Sequence, residues 1–343
     1  MARQAETGAL RHAGCVGIVT MSETNESFLT RLNLRLRVFV VYVLAIIAIW
    51  TPVEIAFAVN LQDLESQINS IGREAVQAAW NRHGITSDLF HSMSPPQARR
   101  LSLEPKPKTN DLGVLEVTDD WDWQYLIFRR DGQDWSYEGN IDLPNQKHHP
   151  PAFRLALLKD GQLWFVVDYM LGSGTGIVQY EQSWYDFSKK GVPTVLKFPT
   201  KGHVMGWGVP FDRGYESKVL RANEISGKYI IEIQIDANYS EGSSFVANPG
   251  PLFGLSRKAR YVWDQKAARF RIDPQASTIS EDQIWGIVND GPDEFLVHNY
   301  NELVKLVKGK DGNKRLWVAR FLETCKDAPQ RRDLLRLFDK SMY

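Results

Sequence analysis

The stretch TDDWDWQY sets three carboxylates, Asp119, Asp120 and Asp122, around Trp121 and Trp123. Acids beside aromatic rings suit two chemistries. Paired carboxylates can hydrolyse a glycosidic bond, and clustered ones can ligate calcium. The spacing lacks the alternate ligands and closing Glu of an EF-hand loop, and a strand end with solvent-facing acids uses the same residues. Asp168, within the run LWFVVDYM, is a further candidate acid. Eleven tryptophans make aromatic stacking the other diffuse signal, since indole rings serve both as ligand faces and as strand cores. Trp184-Tyr185, near a loop, is the first place to expect a ligand face. The ligand-binding candidates are therefore Trp121, Trp123, Trp184, Tyr185, Asp120 and Asp122.

Other chemistries are poorly supported. Gly172, Gly174 and Gly176 in YMLGSGTGIVQY invite comparison with a phosphate cradle, which needs a helix after the glycines to supply aligned N–H groups. The next segment, IVQYEQSWY, is β-branched and aromatic, the spacing is G-x-G-x-G, and no Lys-Ser/Thr pair closes it. The glycines are expected to form a hairpin loop. His148 and His149 adjoin two prolines, and His203 is distant, so no metal is expected. Cys325 shares an apolar stripe with Trp317 and Phe321, the setting of an inert core thiol. Neither G-x-S-x-G nor H-E-x-x-H occurs, and no cofactor is expected.

The elements that must position these residues are read from periodicity. Leu61 to Asn81 repeats apolar residues (Leu61, Leu64, Ile68, Ile71, Ala75, Ala78) at helical spacing, with Gly84 as a stop. Ser92 to Asn110 holds four prolines and reads as an extended linker. From residue 112 the period becomes two. Ile231, Ile233 and Ile235 alternate with Glu232, Gln234 and Asp236, and Asp131-Gly132 and Asp160-Gly161 mark hairpin turns. A mainly β antiparallel meander is expected over 112–273, as a sandwich, barrel or partial propeller. After Pro274 short helices return. Ser280 and Asp327 are candidate caps, and Trp317, Phe321 and Leu334 are expected to be buried against the β region.

The first 58 residues carry a different signal. Arg31, Arg35 and Arg37 precede thirteen apolar residues, Val38 to Trp50, and Ala56-Phe57-Ala58 comes after them. Basic flank, apolar run and small-x-small site are the order of an export signal, whether the chain starts at Met1 or Met21. Thirteen helical residues span ~20 Å, short of the ~30 Å hydrocarbon core. An uncleaved anchor through residues 38–58 would have to include Glu54. The expected organisation is 1–58 signal or anchor, 59–111 helix and linker, 112–273 β domain and 274–343 helical segment.

Charge is balanced at 41 basic and 41 acidic residues, so nothing pulls the chain as a whole toward nucleic acid. The expected function is an exported envelope or extracellular protein that binds a small molecule, a glycan or an envelope protein without catalysis. The alternative is a secreted glycan-acting hydrolase using Asp119 to Asp122 or Asp168. A third reading is a scaffold whose C-terminal helices engage a partner.

Overall fold

A computed structural model describes residues 60–341 apart from 71–72, 83, 86–93, 104–110, 144–148, 158–162, 207–208, 226 and 244–246. The Arg31–Ala58 segment, His148 and the Asp160-Gly161 turn lie outside the described residues. Among the described residues, strands hold 47% and helices 27%, so the fold is mainly antiparallel β.

Strands β1 (Gln97–Arg100), β2 (Leu112–Thr118), β3 (Trp123–Asp131) and β4 (Asp134–Leu143) form a four-stranded sheet in chain order. The second sheet contains β5 (Ala152–Leu157), β6 (Leu163–Gly174), β7 (Ile177–Asp186) and β8 (Thr194–Val204). It continues with β9 (Phe211–Ile225), β10 (Lys228–Glu241), β11 (Pro251–Asp264) and β12 (Arg269–Ile272), again in chain order. Every neighbouring pair is antiparallel, as a meander of local hairpins requires.

The strands that read as continuous apolar runs are those buried on both faces. Along β3, Tyr125 and Ile127 face the large sheet, while Leu126 and Phe128 meet the N-terminal helices α1 (Leu61–Ser70) and α2 (Arg73–Arg82). Along β6, Phe165 and Val167 meet the small sheet, while Trp164 and Val166 join the core shared with the C-terminal helices. The order is helix, sheet, sheet, helix, with alternate side chains gluing successive layers. The large sheet also curls. Trp164 of β6 meets Tyr229, Trp263 and Phe270 at ring separations of 5.2, 5.9 and 5.1 Å.

The C-terminal helices are α3 (Glu281–Asn289), α4 (Pro292–His298), α5 (Tyr300–Lys308), α6 (Gly312–Thr324) and α7 (Pro329–Ser341). Ser280 caps α3 in a reciprocal capping box with Gln283, and Asp311 caps α6. Trp317, Phe321 and Leu334 are buried as expected. The indole of Trp317 donates to the Pro210 carbonyl at 2.6 Å, and Phe211 stacks on Phe295 at 4.0 Å, tying helices to sheet. Each such burial stabilises by ~1.5–3 kcal/mol.

Three details differ from expectation. The expected N-terminal helix is described as Leu61–Ser70 and Arg73–Arg82, with residues 71–72 outside the described residues, and Trp80 rather than Ala78 carries the second stripe inward. The proline-rich stretch contains β1, because Asn69 of α1 exchanges two hydrogen bonds with the Ala98 backbone at 2.7 and 2.9 Å. Asp327 lies before α7 and accepts from Arg332 at 2.6 Å, the helix beginning at Pro329.

Candidate functional site

The hairpin joining β6 and β7 settles the glycine question locally. Gly174 pairs with Ile177 across a tight turn, and Gly176 sits at φ +78°, where a side chain is disfavoured. The next element is β7 and not a helix, so the glycines present no aligned N–H groups to an anion.

The expected ligand faces divide. Trp184 is 0% exposed and packs on Trp164 and Phe270, and Tyr185 is buried between the sheets with its phenol pushed up to about 12 by burial. Neither offers a ring to solvent. Trp121 is exposed and Trp123 half-buried. The acids around them serve the turn. Asp119 accepts from the backbone N–H groups of Trp121 and Asp122, Asp120 accepts from Ser94, and Asp122 is buried. Burial pushes the Cys325 thiol up to about 11, so it stays protonated near neutral pH. Among the described residues, no three His, Cys, Asp or Glu side chains group for a metal ion.

Asp168 is different. It lines a cleft of about 330 Å³ with His149, Tyr169, Tyr180, Lys201 and Glu216. Strand register assembles it: Tyr180 of β7 pairs with Lys201 of β8, which pairs with Glu216 of β9. The Lys201 ammonium lies 4.7 Å from the Tyr180 ring centroid, within cation–π range. On the ring's other end, the Tyr180 hydroxyl is 3.2 Å from Nδ1 of His149. Tyr169 is fixed from behind, its hydroxyl donating to the fully buried Glu181, which also meets Lys197 at 3.0 Å.

A relay of side chains sets Asp168 itself. The Trp184 indole donates to the Gln182 side-chain oxygen at 2.8 Å, and the Gln182 amide donates to Asp168 at 2.6 Å. Burial holds the Asp168 carboxyl above the usual carboxylate range; the Gln182 hydrogen bond and the charges of Arg154 and Lys201 oppose that shift without cancelling it. Trp184 thus acts on Asp168 through Gln182, from inside the core and without lining the cleft. Lys201 and Glu216 carried no sequence signal, and Tyr180 only that of one β-region aromatic among many, because register alone makes the three neighbours.

Two other cavities hold less chemistry. One of about 440 Å³, between β8, β12 and α3, is lined by Lys197, Arg269 and Arg271, of which Lys197 pairs with Glu181 and Arg271 with Asp264. Another of about 540 Å³ runs along Leu316, Trp317 and Arg320 of α6. The Asp168 cleft alone among these joins an aromatic ring, an amine, an imidazole and a carboxyl displaced by burial, the profile of a binding site. Comparison of the chain with protein-family models, curated proteins and solved structures returned no match.

Proposed function

We propose that this is an exported envelope or extracellular binding protein that holds a glycan or other small polar molecule in the cleft around Tyr180. Support for export is the order of basic flank, apolar run and Ala-Phe-Ala before residue 59. The observation that carries the binding reading is the Tyr180 ring, with Lys201 at 4.7 Å and His149 at 3.2 Å, in one cleft with Asp168. An aromatic body with donors and acceptors at its margins suits a ligand with both apolar and hydroxyl-bearing faces. The test is calorimetric titration of the purified protein with neutral and acidic oligosaccharides. Saturable binding lost in Tyr180→Ala supports the reading, and absence of binding across the set refutes it.

One observation favours the alternative of a glycan-acting hydrolase. Asp168, held toward its protonated form, and Glu216, exposed at the same cleft, are the two kinds of carboxyl such chemistry uses. Incubating the protein with the oligosaccharide that binds, and assaying new reducing ends, separates the two. Turnover abolished by Asp168→Asn and Glu216→Gln would replace binding with hydrolysis.

A further inference from the structure

The charges around the cleft select among saccharides, and this step rests on the binding reading above. Lys201 lines the cleft with its ammonium at the Tyr180 ring, and Arg154 lies close enough to act electrostatically on Asp168. Both are exposed. No ion pair within salt-bridge distance is found for Lys201 among the described residues, its partner being the aromatic ring.

The two acids are differently placed. Glu216 is already faced by Lys218 at 3.7 Å, both side chains being exposed. Asp168 is occupied by the Gln182 amide and lies among the cations Arg154 and Lys201. Of the charged groups that line the cleft itself, Lys201 is the cation beside the carboxyls of Asp168 and Glu216, and its ammonium rests on the Tyr180 ring with no carboxylate within salt-bridge distance among the described residues. A ligand seated beside that ring meets the Lys201 ammonium directly. A neutral sugar would leave the ammonium with only the ring as partner, whereas a carboxylate gives it a charge-assisted hydrogen bond.

We infer that the ligand is an acidic saccharide, a sugar bearing a carboxylate, seated with that carboxylate on Lys201 and within reach of the His149–Tyr180 pair. Asp168 is left to accept hydrogen bonds from sugar hydroxyls. Glu216, on the Lys218 side, excludes a second anion from that end of the cleft.

The probes are digalacturonate, its methyl ester, and neutral cellobiose. The free acid and its ester share shape and hydroxyls and differ in charge. With the full chain after any processing, digalacturonate should bind at least about tenfold more tightly than the ester, with affinity falling as salt rises. Lys201→Gln should erase that preference, bringing the acid down to the ester's affinity, and Lys201→Arg should restore it. Thermal melts of both variants should match the parent, since Lys201 is exposed. Equal binding of acid and ester, or a preference that survives Lys201→Gln, would overturn the acidic-ligand inference while leaving the binding reading in place. Binding of none of the three would overturn the inference together with the saccharide reading on which it rests.

Discussion

Gln182 joins a core tryptophan to a cleft carboxyl: its oxygen accepts from Trp184 at 2.8 Å and its amide donates to Asp168 at 2.6 Å. The amide stabilises the charged form of Asp168, so its removal must push the carboxyl further up. Gln182→Leu is expected to raise the Asp168 titration midpoint, read by carboxyl-carbon NMR. Trp184→Phe leaves the Gln182 oxygen without its donor and is expected to cost about 1–3 kcal/mol in urea unfolding. An Asp168 midpoint unchanged or lowered in Gln182→Leu would contradict the relay.

Asp168 also imposes a sign on the pH dependence of stability. Its folded carboxyl titrates above the ordinary value of about 3.9 expected for the unfolded chain. Between those two values the native state holds a proton that the unfolded state has released. This contribution is therefore present at acid pH and lost as pH rises through the folded value. Asp168→Asn keeps an oxygen for the Gln182 amide and removes the buried charge. Its melting temperature should exceed the parent's by a margin that widens from pH 4 to pH 7.5. A margin that shrinks over that range would mean the carboxylate is stabilised, not strained, by its surroundings.

How much of this was legible in sequence depends on the range of the interactions. The hairpin at Asp131-Gly132 and the Ser280 cap are written in adjacent residues and form as read. The expected Gly172–Gly176 loop does join two antiparallel strands, but its turn is only Thr175-Gly176, with Gly172 and Gly174 paired in the strand. β1 was not legible, because its backbone is held by Asn69 from another element. Trp184 looked like a ligand face because a strand tryptophan has the same signature inside or out, and only the second layer decides. The cleft was half visible: Asp168 was a candidate acid, but Tyr180, Lys201 and Glu216 meet through strand register alone.

The C-terminal helices are structural members of the core. Trp317 is 5% exposed, stacks on Phe321 at 5.3 Å and holds the Pro210 carbonyl. Trp317→Ala should cost about 3–5 kcal/mol in chemical unfolding. Deleting residues 299–343 should expose the docking face and cause aggregation. A truncated chain that stays soluble with an unchanged melting temperature would make the segment an independent module and favour the scaffold reading.

Export makes its own demand. Residues Arg37 to Ala58 should direct secretion, and the mature chain should begin near Val59, as N-terminal sequencing of the envelope fraction would show. Intact protein confined to the cytosol would end the proposal of an exported role.

The most direct test of the binding reading is residue-resolved amide NMR during titration with digalacturonate. Shifts should cluster at His149, Asp168 to Met170, Tyr180, Thr200-Lys201 and Glu216-Ser217, the residues that line the cleft. Shifts confined to the Asp119–Trp123 turn, or spread without saturation over the surface, would contradict the assignment of the Tyr180 cleft as the site.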